Sequence, residues 1–461
     1  MSLVFFHVAA LPGGENWPQW RGPQGNGISD STKLPTTWSL EKNENIVWKT
    51  ELPSWSGSTP IIWGDSIFVM SPSKSDGTAP APQESGFKGP PPGKGDGTPG
   101  KGFKKGGNRP TRDPGGQTLL LYCISKNDGK VRWQRELDRG NRTYNKQNSS
   151  SPSPVTDGKH VWVVTGNGVI TALDFDGKED WKKNLQQEYG DFGLNWGYGS
   201  SPLLYHGNLV IEVLHGMRTD DPSYLLAIEG NSGKTLWRIE RPTDAPNESP
   251  DAYTTPVIVN VAGREQIVVS GGDYVTGHDP KTGDELWRAG GLNPTKSPVY
   301  RTVNSPVVAG GMIYAGTRQK PVLALRAGGH GDVSTSNLAW KWEDDGGPDV
   351  PTPVTDGKYY YMVADNGVIT CIDAQTGAKI YRNRLSVGAT IDSSPILADG
   401  KLYITGENAV TVVLQAGPEY SELARNELDG TFTMSSLAIS GQQIFLRTST
   451  HLYCLGESKA K

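Results

Sequence analysis

The 461-residue chain carries 49 acidic and 45 basic side chains, and its formal net charge of −4 favours neither nucleic acid nor an anionic membrane surface as a partner. Its 58 glycines and 33 prolines, against 35% apolar residues, point to many short strands and turns. No apolar run approaches the roughly 18 residues of a membrane-spanning helix, and the length exceeds one ordinary core, so several domains or a repetitive architecture is required.

The chain opens with "MSLVFFHVAALPGGENW". Leu3 to Leu11 is apolar and ends in small residues, like the tail of a secretory signal lacking its basic start, which places the protein in the periplasm, the cell envelope or the medium. Residues 1–45 read as an extension. Its Trp17, Trp20 and Trp38, set among Gly and Pro, are expected to dock along one face of the fold that follows.

That fold is written as a repeat. Its first marker is a pair of small residues, usually a Pro, then two alternating apolar runs across a Gly turn. It reads "STPIIWGDSIFVM" from Ser58, "SPSPVTDGKHVWVV" from Ser151, "SSPLLYHGNLVIEV" from Ser200 and "TTPVIVNVAGREQIVV" from Thr254. It returns as "NSPVVAGGMIYAG" from Asn304, "PTPVTDGKYYYMV" from Pro351, "SSPILADGKLYIT" from Ser393 and "SSLAISGQQIFLR" from Ser435. Each is a predicted hairpin. A third apolar run follows, such as "VITALD" or "HLYCLG", and then a Gly turn leads into a fourth run bearing an aromatic. Those aromatics are Trp133, Trp181, Trp237, Trp287, Trp340 and Tyr381, with Ala424 as a degenerate seventh.

Four short strands recurring every 42 to 54 residues, measured between Pro154, Pro202, Pro256, Pro306, Pro353 and Pro395, predict propeller blades. Eight hairpins but seven following fourth strands leave one strand missing, and "NENIVWKTEL" supplies it with Trp48 at the aromatic position. The expected fold is therefore all-β: an eight-bladed β-propeller of four-stranded antiparallel blades over residues 46–457, closed by an N-terminal strand in the last blade. The large aromatics should fill the gaps between blades. Residues 71–117, nearly all Gly, Pro and charge, interrupt the first blade and are expected to form a disordered surface loop.

At this point the sequence resembles the PQQ-type, quinoprotein-like eight-bladed propellers. "DPKTGDELW" and "DAQTGAKIY" match that family's tryptophan-docking motif, and the likeness runs from about Asn45 to Gly456. "NWPQWRGPQGNGIS" from Asn16 is similar to the start of exported propellers of planctomycete-type bacteria. The resemblance implies one of two functions: a non-catalytic scaffold, like the lipoprotein of the outer-membrane assembly machinery, or a PQQ- and calcium-dependent dehydrogenase.

The residues favour the first. Alcohol-oxidising members add a vicinal Cys–Cys ring, whereas Cys123, Cys371 and Cys454 each lie within an apolar strand pattern and read as buried free thiols. The seven His are scattered, "EGNSGKT" lacks the first Gly of a phosphate loop, and "DFDGKED" lacks the later ligands of a calcium loop. No catalytic or metal-binding residue is assigned, and no cofactor is expected. A binding site should lie in the axial funnel, beside the innermost strands. The candidates are Asn148, Trp196, Tyr198, Asp251, Tyr253, Arg301 and Asp392. Together they suit a polar ligand or a protein partner, and the chain is expected to act as a monomeric binding scaffold.

Overall fold

The computed structural model describes residues 14–76 and 113–457. The strands form eight sheets, each with four antiparallel strands in up-and-down order, arranged as an eight-bladed propeller. Blade 1 comprises Ile61–Trp63, Ser66–Pro72, Thr118–Ser125 and Val131–Arg139. Blades 2 to 8 begin with Val155–Thr156, Leu203–Tyr205, Val257–Val261, Val307–Ala309, Val354–Thr355, Ile396–Ala398 and Ala438–Ser440. Blade 8 takes its outer strand from the other end of the chain: Ile46–Glu51 pairs antiparallel with His451–Leu455, Trp48 opposite Cys454. The ring closes as the unmatched strand required.

Ser71 and Pro72, expected in the insertion, instead continue the second strand of blade 1 and pair with Leu120 and Leu119. The ladder outlasts the apolar pattern because its hydrogen bonds are made by backbone. Residues 77–112, the body of the expected disordered loop, lie outside the described residues. Two sheets gain a short parallel fifth strand: Ile28–Ser29 beside blade 7 and Gly331–Asp332 beside blade 4.

The fourth-strand aromatics follow one packing rule. Trp48, Trp133, Trp181, Trp237, Trp287, Trp340 and Tyr381 sit opposite Cys454, Cys123, Ala172, Ala227, Gly277, Ala324 and Cys371 on the third strand. Directly opposed residues share a face, so a large ring needs a small neighbour. The three cysteines are thus small apolar fillers beneath rings, and all three are buried and free. In blade 7 the sizes are exchanged, with Ala424 opposite Val413.

Five of these rings reach the next blade. The indole N–H groups of Trp48, Trp133, Trp181, Trp237 and Trp340 donate to Lys126 O, Phe175 O, Gly230 O, Pro280 O and Ala374 O at 2.7 to 3.1 Å. Each ring also lies on the turn glycine of that blade. At Gly177, φ is 78° and an added Cβ would stand 2.8 Å from the Trp133 ring, so both the backbone and the indole demand glycine. Trp287 departs from the rule: its N–H donates to Gln266 Oε1 at 2.8 Å, within its own blade. Blade 5 has no short Gly turn there, and its longer segment lays Gly331–Asp332 along the Trp287 strand instead.

The N-terminal extension crosses the face on which the first hairpins turn. Trp17 pairs with Ile62, Pro18 O accepts from Thr156 N, and Gly27 O accepts from Leu397 N. Trp17 and Trp38 are buried. Arg21, also buried, donates to Thr352 O and to Pro353 O, bolting the extension to blade 6.

A buried acid in blade 3 has no salt-bridge partner within 4 Å among the described residues. Glu212 on the second strand of blade 3 is wholly enclosed, its Oε1 is 2.6 Å from Thr254 Oγ1, and its Oε2 has no partner. Thr254 has one hydroxyl proton to share between Glu212 Oε1 and Ser270 O, which stands at 2.8 Å, so a charged Glu212 would be poorly stabilised and the neutral form is favoured. Burial agrees, pushing the carboxyl from 4.5 up to about 8, against the pull of Thr254 and Arg241. The folded state thus keeps a proton that the unfolded chain releases near 4.5. Stability is full below that value and falls as pH rises through about 8. Urea titrations at about pH 5 and about pH 9 should show this loss in the native protein and a flatter profile in Glu212→Gln. Equal pH slopes in both proteins would show that Glu212 is ionised when folded.

Candidate functional site

The small-polar-Pro marker builds the wall of an axial channel. In blades 1 to 7 the residue before the Pro, held extended by it, carries a hydroxyl, and in blade 8, where Leu437 replaces the Pro, Ser436 stands at the same position. Its backbone N–H donates to the hydroxyl of the equivalent residue one blade on: Thr59 to Ser153 (2.9 Å), Ser153 to Ser201 (2.9 Å), Ser201 to Thr255 (3.2 Å) and Thr255 to Ser305 (2.9 Å). The chain continues from Ser305 to Thr352 (2.9 Å), Thr352 to Ser394 (2.9 Å) and Ser394 to Ser436 (3.0 Å). These seven links tie consecutive inner strands together around the axis. They explain why a Ser or Thr stands at that position in blades 2 to 8.

The hydroxyls of Ser153, Ser201, Thr255, Thr352, Ser394 and Ser436 line a cavity of about 170 Å³. Trp20 of the extension lines its far end. At the near end stand Lys146, Gln147, Trp196, Tyr253, Arg301 and Asp392. Of the residues expected in the funnel, Trp196, Tyr253, Arg301 and Asp392 are brought together there. The other three turn away from it. Asn148 is buried and holds its own loop, donating to Trp55 O at 2.9 Å and accepting from Ser150 N at 3.1 Å. Tyr198 packs in the core of blades 2 and 3 beside Phe192. Asp251 accepts from the N–H groups of Asn195, Gly216 and Met217 at 2.7 to 3.1 Å and so pins two loops, while burial pushes its carboxyl up to about 7 against those three donors. A loop residue's direction depends on the loop's path, which the repeat pattern does not specify.

Most charges at the mouth are mutually paired. Lys146 Nζ lies 2.7 Å from Asp365 Oδ2 and 3.0 Å from Asp392 Oδ1. The Arg301 guanidinium stands over the Trp196 ring at 5.6 Å, with Glu248 at 3.6 Å and Asp349 at 3.8 Å. Trp196 in turn donates its indole N–H to Glu248 Oε1 at 2.8 Å, and its backbone N–H to the Tyr253 hydroxyl at 3.0 Å. Lys146, Glu248, Asp349 and Asp365 were not singled out from the sequence. Lys146 could have been found two positions before Asn148, but Asp365 lies in the turn between the second and third strands of blade 6, where no motif marks it.

A family profile described as outer membrane protein assembly factor BamB matches residues 117–383. The chain belongs to this family of PQQ-like propellers. No curated protein sequence matches it. Among solved structures, BamB from Moraxella catarrhalis aligns with a TM-score of 0.56 at 13% identity, covering 90% of this chain and 98% of that one. A europium-containing methanol dehydrogenase aligns at 0.69 and 11% identity, covering 96% and 98%. A quinohemoprotein alcohol dehydrogenase from Pseudomonas putida HK5 aligns at 0.61 and 10% identity, covering 98% and 82%. At such identities the likeness is one of fold, and membership alone decides neither chemistry nor partner.

The quinone and calcium that the sequence resemblance implies can be tested against the residues present. Calcium takes roughly six to eight oxygen ligands. Four carboxylates stand at the mouth: Glu248 and Asp349 face Arg301, and Asp365 and Asp392 face Lys146. Asp365 Oδ1 accepts from Asp349 N and Val350 N, Asp365 Oδ2 and Asp392 Oδ1 hold the Lys146 ammonium, and of these two carboxylates only Asp392 Oδ2 is open. Among the described residues no three His, Cys, Asp or Glu side chains gather as a metal site. This donor set does not fit a calcium–quinone pair.

Proposed function

We propose that this protein is a non-catalytic propeller of the cell envelope that binds a polar partner at the mouth of its axial cavity. The observation that supports this reading most is the pairing of the mouth's charges: Lys146 with Asp365 and Asp392, and Arg301 with Glu248 and Asp349. A general base needs a free carboxylate or imidazole in reach of substrate, and a metal needs uncommitted oxygens. Paired groups around a half-enclosed, hydroxyl-lined cavity instead suit recognition by hydrogen bonds and charge. The BamB-type family includes assembly proteins, and its propeller is a scaffold on which unlike loops are displayed.

The test is reconstitution. Incubation with PQQ and calcium is expected to leave no stoichiometric quinone absorbance after gel filtration, and no alcohol- or sugar-dependent reduction of an artificial electron acceptor. Retained quinone, with turnover that disappears in Asp392→Asn, would replace the scaffold with a dehydrogenase.

A further inference from the structure

The mouth of the cavity is crossed by the chain itself. The segment 141–148 leaves the outer strand of blade 1 and is anchored to the loop before blade 3, where Gln147 Nε2 donates to Gly197 O at 2.8 Å. From this strap Lys146 reaches Asp365 of blade 6 and Asp392 before blade 7. In a ring of eight, blade 6 stands opposite blade 2, so the side chain bridges the funnel from one side to the other.

The receiving end is a built site. The Asp392 side chain is 0% exposed and lines the cavity, yet its Oδ2 has no hydrogen-bond partner. A buried carboxylate oxygen left without a donor is costly, and here it borders a space that can supply one. Burial opposes the Lys146 charge, but the two carboxylates hold its ammonium above the ordinary lysine value. With Lys146 withdrawn, the arc from blade 4 to blade 7 sets the carboxylates of Glu248, Asp349, Asp365 and Asp392 against only the guanidinium groups of Arg301 and Arg318. That arc is then net negative and draws a cation.

We propose that Asp365 and Asp392 form a binding site for a primary ammonium group, and that Lys146 on the strap is its internal occupant, displaced when a ligand amine enters. The proposal rests on reading the cavity as a recognition site rather than a redox centre, and it names what is recognised. The tethered lysine competes at an effective concentration on the order of millimolar, so weak amines are excluded while the strap is closed. A ligand that also engages the rest of the mouth, such as a lysine presented by a partner protein, has the additional contacts needed to displace it. The ammonium's charge and three donors match Asp365 Oδ2 and both oxygens of Asp392, whereas a neutral group of the same length matches none of the charge.

The full-length Lys146→Ala and Lys146→Gln variants test this, probed by calorimetry with Nα-acetyl-lysine amide, with 1,4-diaminobutane, and with the neutral Nα-acetyl-norleucine amide. Either amine should bind both variants at least about tenfold more tightly than it binds the native protein, because the internal competitor is gone. The norleucine compound should not bind, and adding Asp392→Asn to Lys146→Ala should abolish amine binding. Preference for the lysine compound identifies a protein side chain as the ligand, and preference for the diamine identifies a free amine. If Lys146→Ala does not fold, refolding restored by either amine supports the site. Failed refolding, no amine binding, or equal binding of the norleucine compound would overturn it. Quinone uptake in the reconstitution test would remove the underlying reading, whereas failed amine binding removes only this site.

Discussion

A chain beginning at Leu52 should not yield a monomeric, normally melting propeller. It lacks Ile46–Glu51, so the His451–Leu455 strand becomes an open edge with its backbone groups unpaired. It also lacks Trp48, whose ring lies on Gly129 of blade 1 and whose N–H donates to Lys126 O at 2.9 Å. Blades 8 and 1 then lose one of the contacts that join the two ends of the ring. The buried Trp17, Trp38 and Arg21 go with the same segment. Size-exclusion chromatography with light scattering should show aggregates, and any soluble fraction should melt far below the native protein. The point variant Trp48→Ala isolates one part of this and should cost less than the roughly 3–5 kcal/mol of a fully buried large aromatic, because Trp48 is only partly buried. A shortened chain that melts with the native protein would show that closure by Ile46–Glu51 is dispensable.

Replacing Arg447 by Met should be almost as damaging from a single position. Arg447 ends the second strand of blade 8, is 1% exposed, and faces no carboxylate. Its guanidinium donates to Ser54 O at 2.7 Å, Met70 O at 2.8 Å and Ser56 O at 3.4 Å, all in blade 1 or the loop before it. Burial pulls its pKa down to about 9, so it remains charged at neutral pH and polarises those bonds. Arg241 does the same between blades 3 and 4, donating to Gly271 O at 3.0 Å and Tyr274 O at 3.1 Å. Methionine keeps the apolar stem and loses the bonds. Charged hydrogen bonds contribute about 1.5–3 kcal/mol each, and relief of the buried charge offsets part of the loss, leaving a cost of about 2–4 kcal/mol. Urea unfolding measures it. A change within about 0.5 kcal/mol would mean that the seam between blades 8 and 1 is held by other contacts.

The two variants act at the same seam, and only one was foreseeable. Trp48 follows from counting strands, because a repeat with one member missing demands it. Arg447 stands in a strand pattern, "QIFLR", that ends on a charge like any surface strand. Nothing local says that the next blade encloses it. The cysteines show the same division. Their apolar neighbours read as burial, but their position beneath Trp48, Trp133 and Tyr381 is visible only once the strands are paired.

The amino-acid sequence by itself determined the repeat, the number of blades, the order of strands within them and the closing strand. Every blade meets the same packing problem and most meet it with the same short motif, a hydroxyl and a proline at the inner strand and a glycine and an aromatic at the outer one, with Leu437 replacing the proline in blade 8 and Ala424 the aromatic in blade 7. Repetition makes such motifs legible, since eight partial matches reinforce each other. The site has no such support. It is assembled from residues that occur once, on loops whose paths are not periodic, and its central contacts join Lys146 to Asp365 and Asp392, 219 and 246 positions away. Only the closed ring brings those loops onto one axis. There, it turns Asn148, Tyr198 and Asp251 into supports, leaves Trp196, Tyr253, Arg301 and Asp392 facing the cavity, and carries one lysine across the funnel to two acids, the half-buried Asp365 and the buried Asp392.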